Sequence, residues 1–115
     1  MTTNSYRHKR GDTFSLAGTG NLPFANATAS AQLREPVSDA LIDSLNVTLT
    51  PNGQSSVTPE GITVYPYLLA LTRAAPDTAR WQLGSLLMDV EFRDSGTVRS
   101  SGTVELIIER DITHG

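Results

Sequence analysis

The chain has 115 residues, 38% of them hydrophobic, no cysteine and a formal net charge of −3. A chain of this length is expected to form one domain that buries about two-thirds of its unfolded surface without disulfides, and the missing cysteine excludes thiolate metal sites and a cysteine nucleophile. The weak net charge and the lack of any apolar run near the roughly 20 residues that span a bilayer predict no nucleic-acid partner and no membrane partner.

The beginning of the chain is polar. Residues 1 to 9 are predicted to form a flexible arm that precedes a single domain over residues 10 to 113. The arm lacks the basic-then-apolar order of a signal peptide, which predicts synthesis and retention in the cytoplasm until assembly or release. Its basic cluster at 7 to 10 is a weak candidate for contact with phosphate or an acidic partner. The integrin-type tripeptide at 10 to 12 is better interpreted as the beginning of an edge strand.

The first half of the domain alternates apolar and polar residues with the period of a β-strand. A strand is predicted over 12 to 17, with Phe14 and Leu16 on one face. Residues 18 to 21 are predicted to form a loop. A second strand over 26 to 34 places small alanines and a leucine on one face, with a helix as the alternative.

The middle of the domain contains a short predicted turn, a strand, a loop and an apolar segment. Residues 40 to 43 are predicted to make the turn, and 45 to 50 the strand. The polar segment from 54 to 61 is predicted to be a mobile loop available for contacts. The apolar segment from 62 to 72 has Pro66 at its centre, which predicts either an edge strand or two short strands joined by a bulge, because proline cannot donate to a ladder.

The last third of the chain carries the clearest β pattern. One tight helical turn over 75 to 81 is predicted to deliver Trp81 to the core. Alternating residues over 86 to 93 and 97 to 109 predict a hairpin closed by a turn at 94 to 96, with a bend in the return strand at 101 to 102.

These elements predict an all-β fold. Six or seven short antiparallel strands and one helical turn favour a small immunoglobulin-like β-sandwich, with an open barrel as the second choice.

The sequence offers little for catalysis. His8 and His114 are predicted to lie in the two terminal tails, where no partner would hold them for general-base or metal work. Asp89 and Glu91 share a strand face with Arg93, which favours a solvated row of ion pairs over an acid/base dyad. No spacing forms a calcium cage or a phosphate loop. We therefore predict a non-enzymatic protein with no catalytic residues, no cofactor and no metal.

The candidate interaction surface consists of four residues. Phe14 and Leu16 lie on a strand that is predicted to be an edge, and Tyr65 and Tyr67 form an aromatic pair that is either exposed or part of the core. Strand addition or insertion of the 54 to 61 loop would be the mode of contact.

Several features occur in one order along the chain, namely Arg10-Gly11-Asp12-Thr13-Phe14, Asp77-Thr78-Ala79 followed by Trp81 and Gly84, Met88-Asp89-Val90 followed by Asp94-Ser95-Gly96, and Val104-Glu105-Leu106-Ile107-Ile108-Glu109-Arg110-Asp111-Ile112-Thr113. In this order they resemble the small β-sandwich domain at the N-terminus of phage baseplate upper proteins and of related short tail or tail-fibre proteins. The resemblance is weakest over 18 to 34, where an alanine-rich strand replaces the usual pattern.

The resemblance implies a function. The chain would be a non-enzymatic structural component of a phage or prophage virion, located in the tail, baseplate or fibre-attachment region and made in the cytoplasm of a bacterial host. It would work as a homo-oligomer and dock to other tail or baseplate proteins. The alternative is a stand-alone immunoglobulin-like adhesion or ligand-binding module.

Overall fold

The computed structural model describes residues 5 to 110. The described elements, in chain order, are β1 Ser5–Lys9, β2 Phe14–Leu22, β3 Thr28–Arg34, β4 Leu41–Pro51, β5 Ser56–Val57, β6 Thr63–Arg73, α1 Ala75–Thr78, β7 Gly84–Asp94, β8 Thr97–Ser100 and β9 Val104–Glu109. The predicted all-β fold class is confirmed. Within residues 5 to 110, every helix is too short or too polar to cross a membrane.

The strands form one continuous ladder in the order β1-β9-β7-β3-β4-β6-β2. β4 joins the two layers, because its first half pairs with β3 and its second half pairs with β6. The sheet therefore wraps around the core as an open barrel whose two ends are β1 and β2. β8 extends the hairpin of β7, and the short β5 pairs with the beginning of β6.

The core fills the space between the two layers. Trp81 is 1% exposed and is delivered by the turn that follows α1, as the sequence predicts. Its indole packs against the ring of Phe14 at 5.7 Å between centroids and against the imidazole of His8 at 5.7 Å. Leu33, Leu86 and Leu106 are fully buried around it.

Two predictions near the beginning of the chain are corrected by β1. Residues 5 to 9, predicted to belong to a flexible arm, pair in parallel with β9, Ser5 opposite Glu105 and Lys9 opposite Glu109. His8, predicted to lie in a tail, packs on the aromatic core and its Nε2 lies 3.0 Å from the backbone oxygen of Asp12. Apolar periodicity misses such a strand, because most of its side chains are exposed and its backbone supplies the pairing. Residues 1 to 4 and 111 to 115, including His114, lie outside the described part.

Three segments that the sequence assigned to loops or turns belong partly or wholly to strands. Residues 18 to 21 continue β2, residues 41 to 43 begin β4, and the 54 to 61 loop contains β5. Glycine, asparagine and serine carry a loop signal in the sequence. Pairing with a neighbouring strand overrides that signal in each case.

The apolar segment over 62 to 72 also differs from its prediction. β6 is one strand of 11 residues, flanked by β4 on one side and β2 on the other. Pro66 is tolerated because the β4 ladder ends at Pro51 opposite Tyr67. Just beyond that point the oxygen of Pro66 accepts a hydrogen bond from the Asn52 N–H.

Candidate functional site

The open side of the barrel is an apolar seam between β2 and the segment that joins β8 to β9. Two adjoining hollows of about 380 Å³ and about 200 Å³ make up this seam. The hollows share Gly18 from β2, Leu69 from β6 and Gly102 from the β8–β9 connection. The larger hollow also reaches Phe92 of β7, and the smaller one reaches Leu16.

Two glycines keep the seam open. The inward positions of β2 begin with the buried Phe14 and end with the buried Leu22, and strand alternation places Gly18 and Gly20 between them on the same face. A Cβ atom built on either glycine has no other atom within 4 Å, and neither glycine has a positive φ. These positions are therefore empty for lack of side chains, and the backbone there does not require glycine.

The outer edge of β2 is unprotected. Its nine residues contain no charge and no proline, and they pair with β6 in unbroken register from Phe14 opposite Arg73 to Leu22 opposite Tyr65. In the described part of the chain, β2 ends the strand order, so its outer backbone groups face solvent. Natural sheets usually blunt such edges with lysine, proline, bulges or inward charges. β1, at the other end, carries Arg7 and Lys9.

The four residues of the predicted interaction surface occupy different places. Phe14 and Tyr67 are buried, at 4% and 5% exposure, and they support the strands from beneath. The Tyr67 hydroxyl donates to the backbone oxygen of Phe24 at 2.6 Å. Tyr65 is half-buried in the same small cluster as Tyr67. Leu16 is half-buried and lines the smaller hollow, and the buried Tyr67 lines the larger one, so these two members of the set lie at the seam.

Of the seam residues, sequence patterns predicted Leu16 and Tyr67 and missed the others, among them Gly18 and Gly20. The prediction of a loop over 18 to 21 hid the two glycines of the seam, although the strand period contained a signal for them. Phe14, Leu16 and Leu22 share one parity, and Gly18 and Gly20 continue it.

A polar network lies at the end of the core away from the larger hollow. The Asp43 carboxylate accepts hydrogen bonds from Trp81 Nε1 at 2.8 Å and from Arg73 Nε at 3.0 Å and Nη2 at 3.1 Å. Burial disfavours the charged form of Asp43, but the hydrogen bonds from Arg73, Trp81 and the Ser44 N–H outweigh it and hold the pKa of the carboxyl below its ordinary value. The side chains of Asp43 and Arg73 are 15% and 26% exposed. This network joins β4, β6 and the turn that follows α1.

The tripeptide at 10 to 12 forms the turn between β1 and β2 rather than the beginning of an edge strand. Gly11 has φ +92°. Its N–H donates to the fully buried Thr78 hydroxyl at 3.1 Å, and that hydroxyl donates to the Asp12 oxygen at 2.7 Å. The turn is thus fastened to α1.

A polar hollow of about 440 Å³ lies on the outer face of β3 and β7. Its charged and polar groups are paired among themselves: Arg34 donates to Gln32, Thr103 donates to Asp89, and Arg93 pairs with Glu91. The Arg93–Glu91 contact agrees with the predicted solvated row of ion pairs, whereas Asp89 accepts from the Thr103 hydroxyl instead. Among residues 5 to 110, no group of three or more histidine, aspartate or glutamate side chains is placed to hold a metal ion.

Comparisons with known proteins give no match to a family model and no match to a curated protein. Among solved structures, the chain is similar to a protein from a study of host recognition and biofilm formation by aggregative adherence fimbriae of enteroaggregative Escherichia coli, with a TM-score of 0.46, 10% identity and coverage of 94% of this chain and 93% of that one. It is also similar to AggA, the major subunit of aggregative adherence fimbriae type I of Escherichia coli, with a TM-score of 0.38, 14% identity and coverage of 93% and 91%. Likenesses of this degree assign no function to this chain.

The comparisons correct the predicted kinship. The structures found are fimbrial subunits and not phage baseplate proteins. The predicted family, the role as a phage or prophage virion component, the tail or baseplate partners and the location in a virion tail are therefore wrong. Within residues 5 to 110, the features behind that resemblance are spread over turns, α1 and strands of an open β-barrel.

Proposed function

We propose that this chain is a non-enzymatic adhesion or ligand-binding module that binds other protein chains through the outer edge of β2 and the seam beside it. The observation that carries the proposal is the unprotected edge of β2 next to an apolar hollow of about 380 Å³. An extended segment that adds to this edge gains backbone hydrogen bonds, and its alternate side chains enter the hollow.

The hollow suits side chains of a bound strand. Leu69 and Phe92 are only partly buried although they pack on the main core, since Gly18 and Gly20 leave them uncovered. Bulky side chains of a neighbouring strand cover glycine positions well in sheets. The rim carries one cation, Arg99, and is otherwise uncharged. The chemistry therefore favours an uncharged or weakly acidic extended segment.

The test uses a labelled nine-residue peptide in which valine and threonine alternate, titrated against the chain at low protein concentration. We expect the wild type to bind, and Gly18→Lys to weaken binding about tenfold or more, because an inward charge must be desolvated or displaced when the seam closes. The open space at Gly18 lets this variant fold, which thermal unfolding checks.

Ser15→Lys is the matched control, because Ser15 is an exposed residue on the outer face of the same strand and lines neither hollow of the seam. Its affinity for the peptide should stay within about twofold of wild type. Equal losses in the two variants, or no binding by the wild type, would contradict the proposal.

A further inference from the structure

We infer that the segment which occupies the β2 edge is β2 of a second copy of this chain, paired antiparallel about a two-fold axis through Gly18. The inference rests on the proposed function and names its partner. This pairing would join the strands β4, β6 and β2 of one copy to the same strands of the second copy in one continuous sheet.

The inward face of β2 is complementary to itself in this register. With Gly18 opposite Gly18 of the second copy, Leu16 faces Gly20 of the second copy and Gly20 faces Leu16 in return. A large side chain thus meets an empty position twice. The buried Phe14 and Leu22 face each other at both ends of the pairing. A two-fold axis perpendicular to the sheet keeps the inward faces of both strands on the same side, so each Leu16 covers the seam of the other molecule.

The charge of the edge distinguishes β2 from β1. A strand that pairs with its own copy brings like residues close together, and like charges there destabilise the pair. β2 has no charged residue from Phe14 to Leu22, and its outward residues are serine, alanine, threonine and asparagine. β1 has Arg7 at its centre, and in the equivalent centred register Arg7 would face Arg7 of the second copy. Of these two ends of the sheet, β2 is the one that accepts a copy of itself.

The space at the axis also permits the contact. Gly18 lies at the centre of the nine-residue strand, and a Cβ atom there meets nothing within 4 Å. Residues directly opposite in an antiparallel pair have Cα atoms about 4.5 to 5.5 Å apart. Disulfides join Cα atoms over about 4.4 to 6.8 Å. Cysteine at position 18 therefore reports the register directly, and the natural chain contains no other cysteine.

The first experiment is mild oxidation of Gly18→Cys and Asn21→Cys in the full chain. We expect Gly18→Cys to give a covalent dimer in most of the protein. Asn21 lies three residues from the axis, so the two thiols introduced at this position would be about 20 Å apart along the strands, and Asn21→Cys should stay monomeric under the same conditions. Similar cross-linking of both variants would mean random collision and would overturn the inference.

The second experiment is light scattering after size exclusion on wild type, Gly18→Lys, Gly18→Asp and an equal mixture of the two variants. We expect a wild-type dimer, two monomeric variants because like charges meet at the axis, and a restored dimer in the mixture. A dimer that persists in both charged variants would overturn the β2 pairing.

The two proposals fail in different ways. A wild-type monomer at every concentration that still binds the valine–threonine peptide in a Gly18-dependent manner overturns self-pairing and leaves the proposed function standing. A wild-type monomer that binds no peptide overturns both.

Discussion

Asp43 is the residue on which three parts of the fold converge. It lies on β4, and its carboxylate accepts from the indole that follows α1 and from the guanidinium that ends β6. Arg73 also lies 3.8 Å from the Asp77 carboxylate. One side chain on β4 is therefore bonded both to the core tryptophan and to the end of β6.

We predict that Asp43→Asn destabilises the chain by about 2 to 4 kcal/mol. The amide has one acceptor oxygen where the carboxylate has two, and its NH₂ group faces donors. Urea unfolding followed by the fluorescence of Trp81, the single tryptophan, measures the change. Glu91→Gln removes the exposed pair with Arg93 and is the control, with an expected change of less than about 1 kcal/mol. Equal changes in the two variants would show that the Asp43 network adds nothing beyond a surface pair.

The lowered pKa of Asp43 predicts how stability depends on pH. The carboxyl binds its proton less readily in the folded chain than in the unfolded chain. Its contribution is therefore complete above the unfolded pKa of about 4 and is lost as the pH falls through the lower folded pKa. The free energy of unfolding of wild type should fall more steeply below pH 4 than that of Asp43→Asn. Parallel curves for the two proteins would contradict this assignment.

At the scale of the elements, the main contribution of the short helix α1 is to anchor the β1–β2 turn. Its four residues place the Thr78 hydroxyl where it bonds Gly11 and Asp12 of the β1–β2 turn. His8 of β1 also contacts the rings of Phe14 and Trp81, and these contacts hold β1 against the core. β1 therefore depends on α1, although the two are far apart in sequence.

We predict that Thr78→Val loosens β1 selectively. The valine fills the same space but leaves the Gly11 N–H and the Asp12 oxygen without the hydroxyl, at a cost of about 1 to 3 kcal/mol. Amide hydrogen exchange should accelerate in β1 more than in β3, whose two neighbours are unaffected. Thr103→Val, which removes an exposed bond to Asp89, is the control and should leave β1 protected. Uniform acceleration across the sheet would contradict a local role.

The elements also show what a single sequence reveals. The β7 hairpin, β3 and the turn that carries Trp81 were predictable, because local alternation and turn residues specify them. β1 and the second half of β2 were not, because their polar or glycine-rich residues become strands only through ladders with β9 and β6. The same holds for the seam, whose walls come from segments about 80 residues apart in the chain.

At the scale of the whole molecule, the two ends of the strand order are unequal. The described chain measures 54 × 28 × 25 Å, and β4 connects its two layers of strands. The β1 end is short and charged, whereas the β2 end is long, neutral and open to an apolar hollow. A molecule built this way has one end suited to solvent and one end suited to another strand.

This asymmetry predicts that stability depends on concentration. If β2 pairs with its own copy, the folded dimer unfolds to two chains, and each tenfold rise in concentration adds about 1.4 kcal/mol per dimer. The urea midpoint of wild type, followed by Trp81 fluorescence, should rise across a hundredfold concentration range. The midpoint of Gly18→Lys should stay constant, and that of Ser15→Lys should rise with wild type, since position 15 faces Asn21 and not itself across the axis. A wild-type midpoint that is independent of concentration would place the chain among monomers whose open edge serves a different protein.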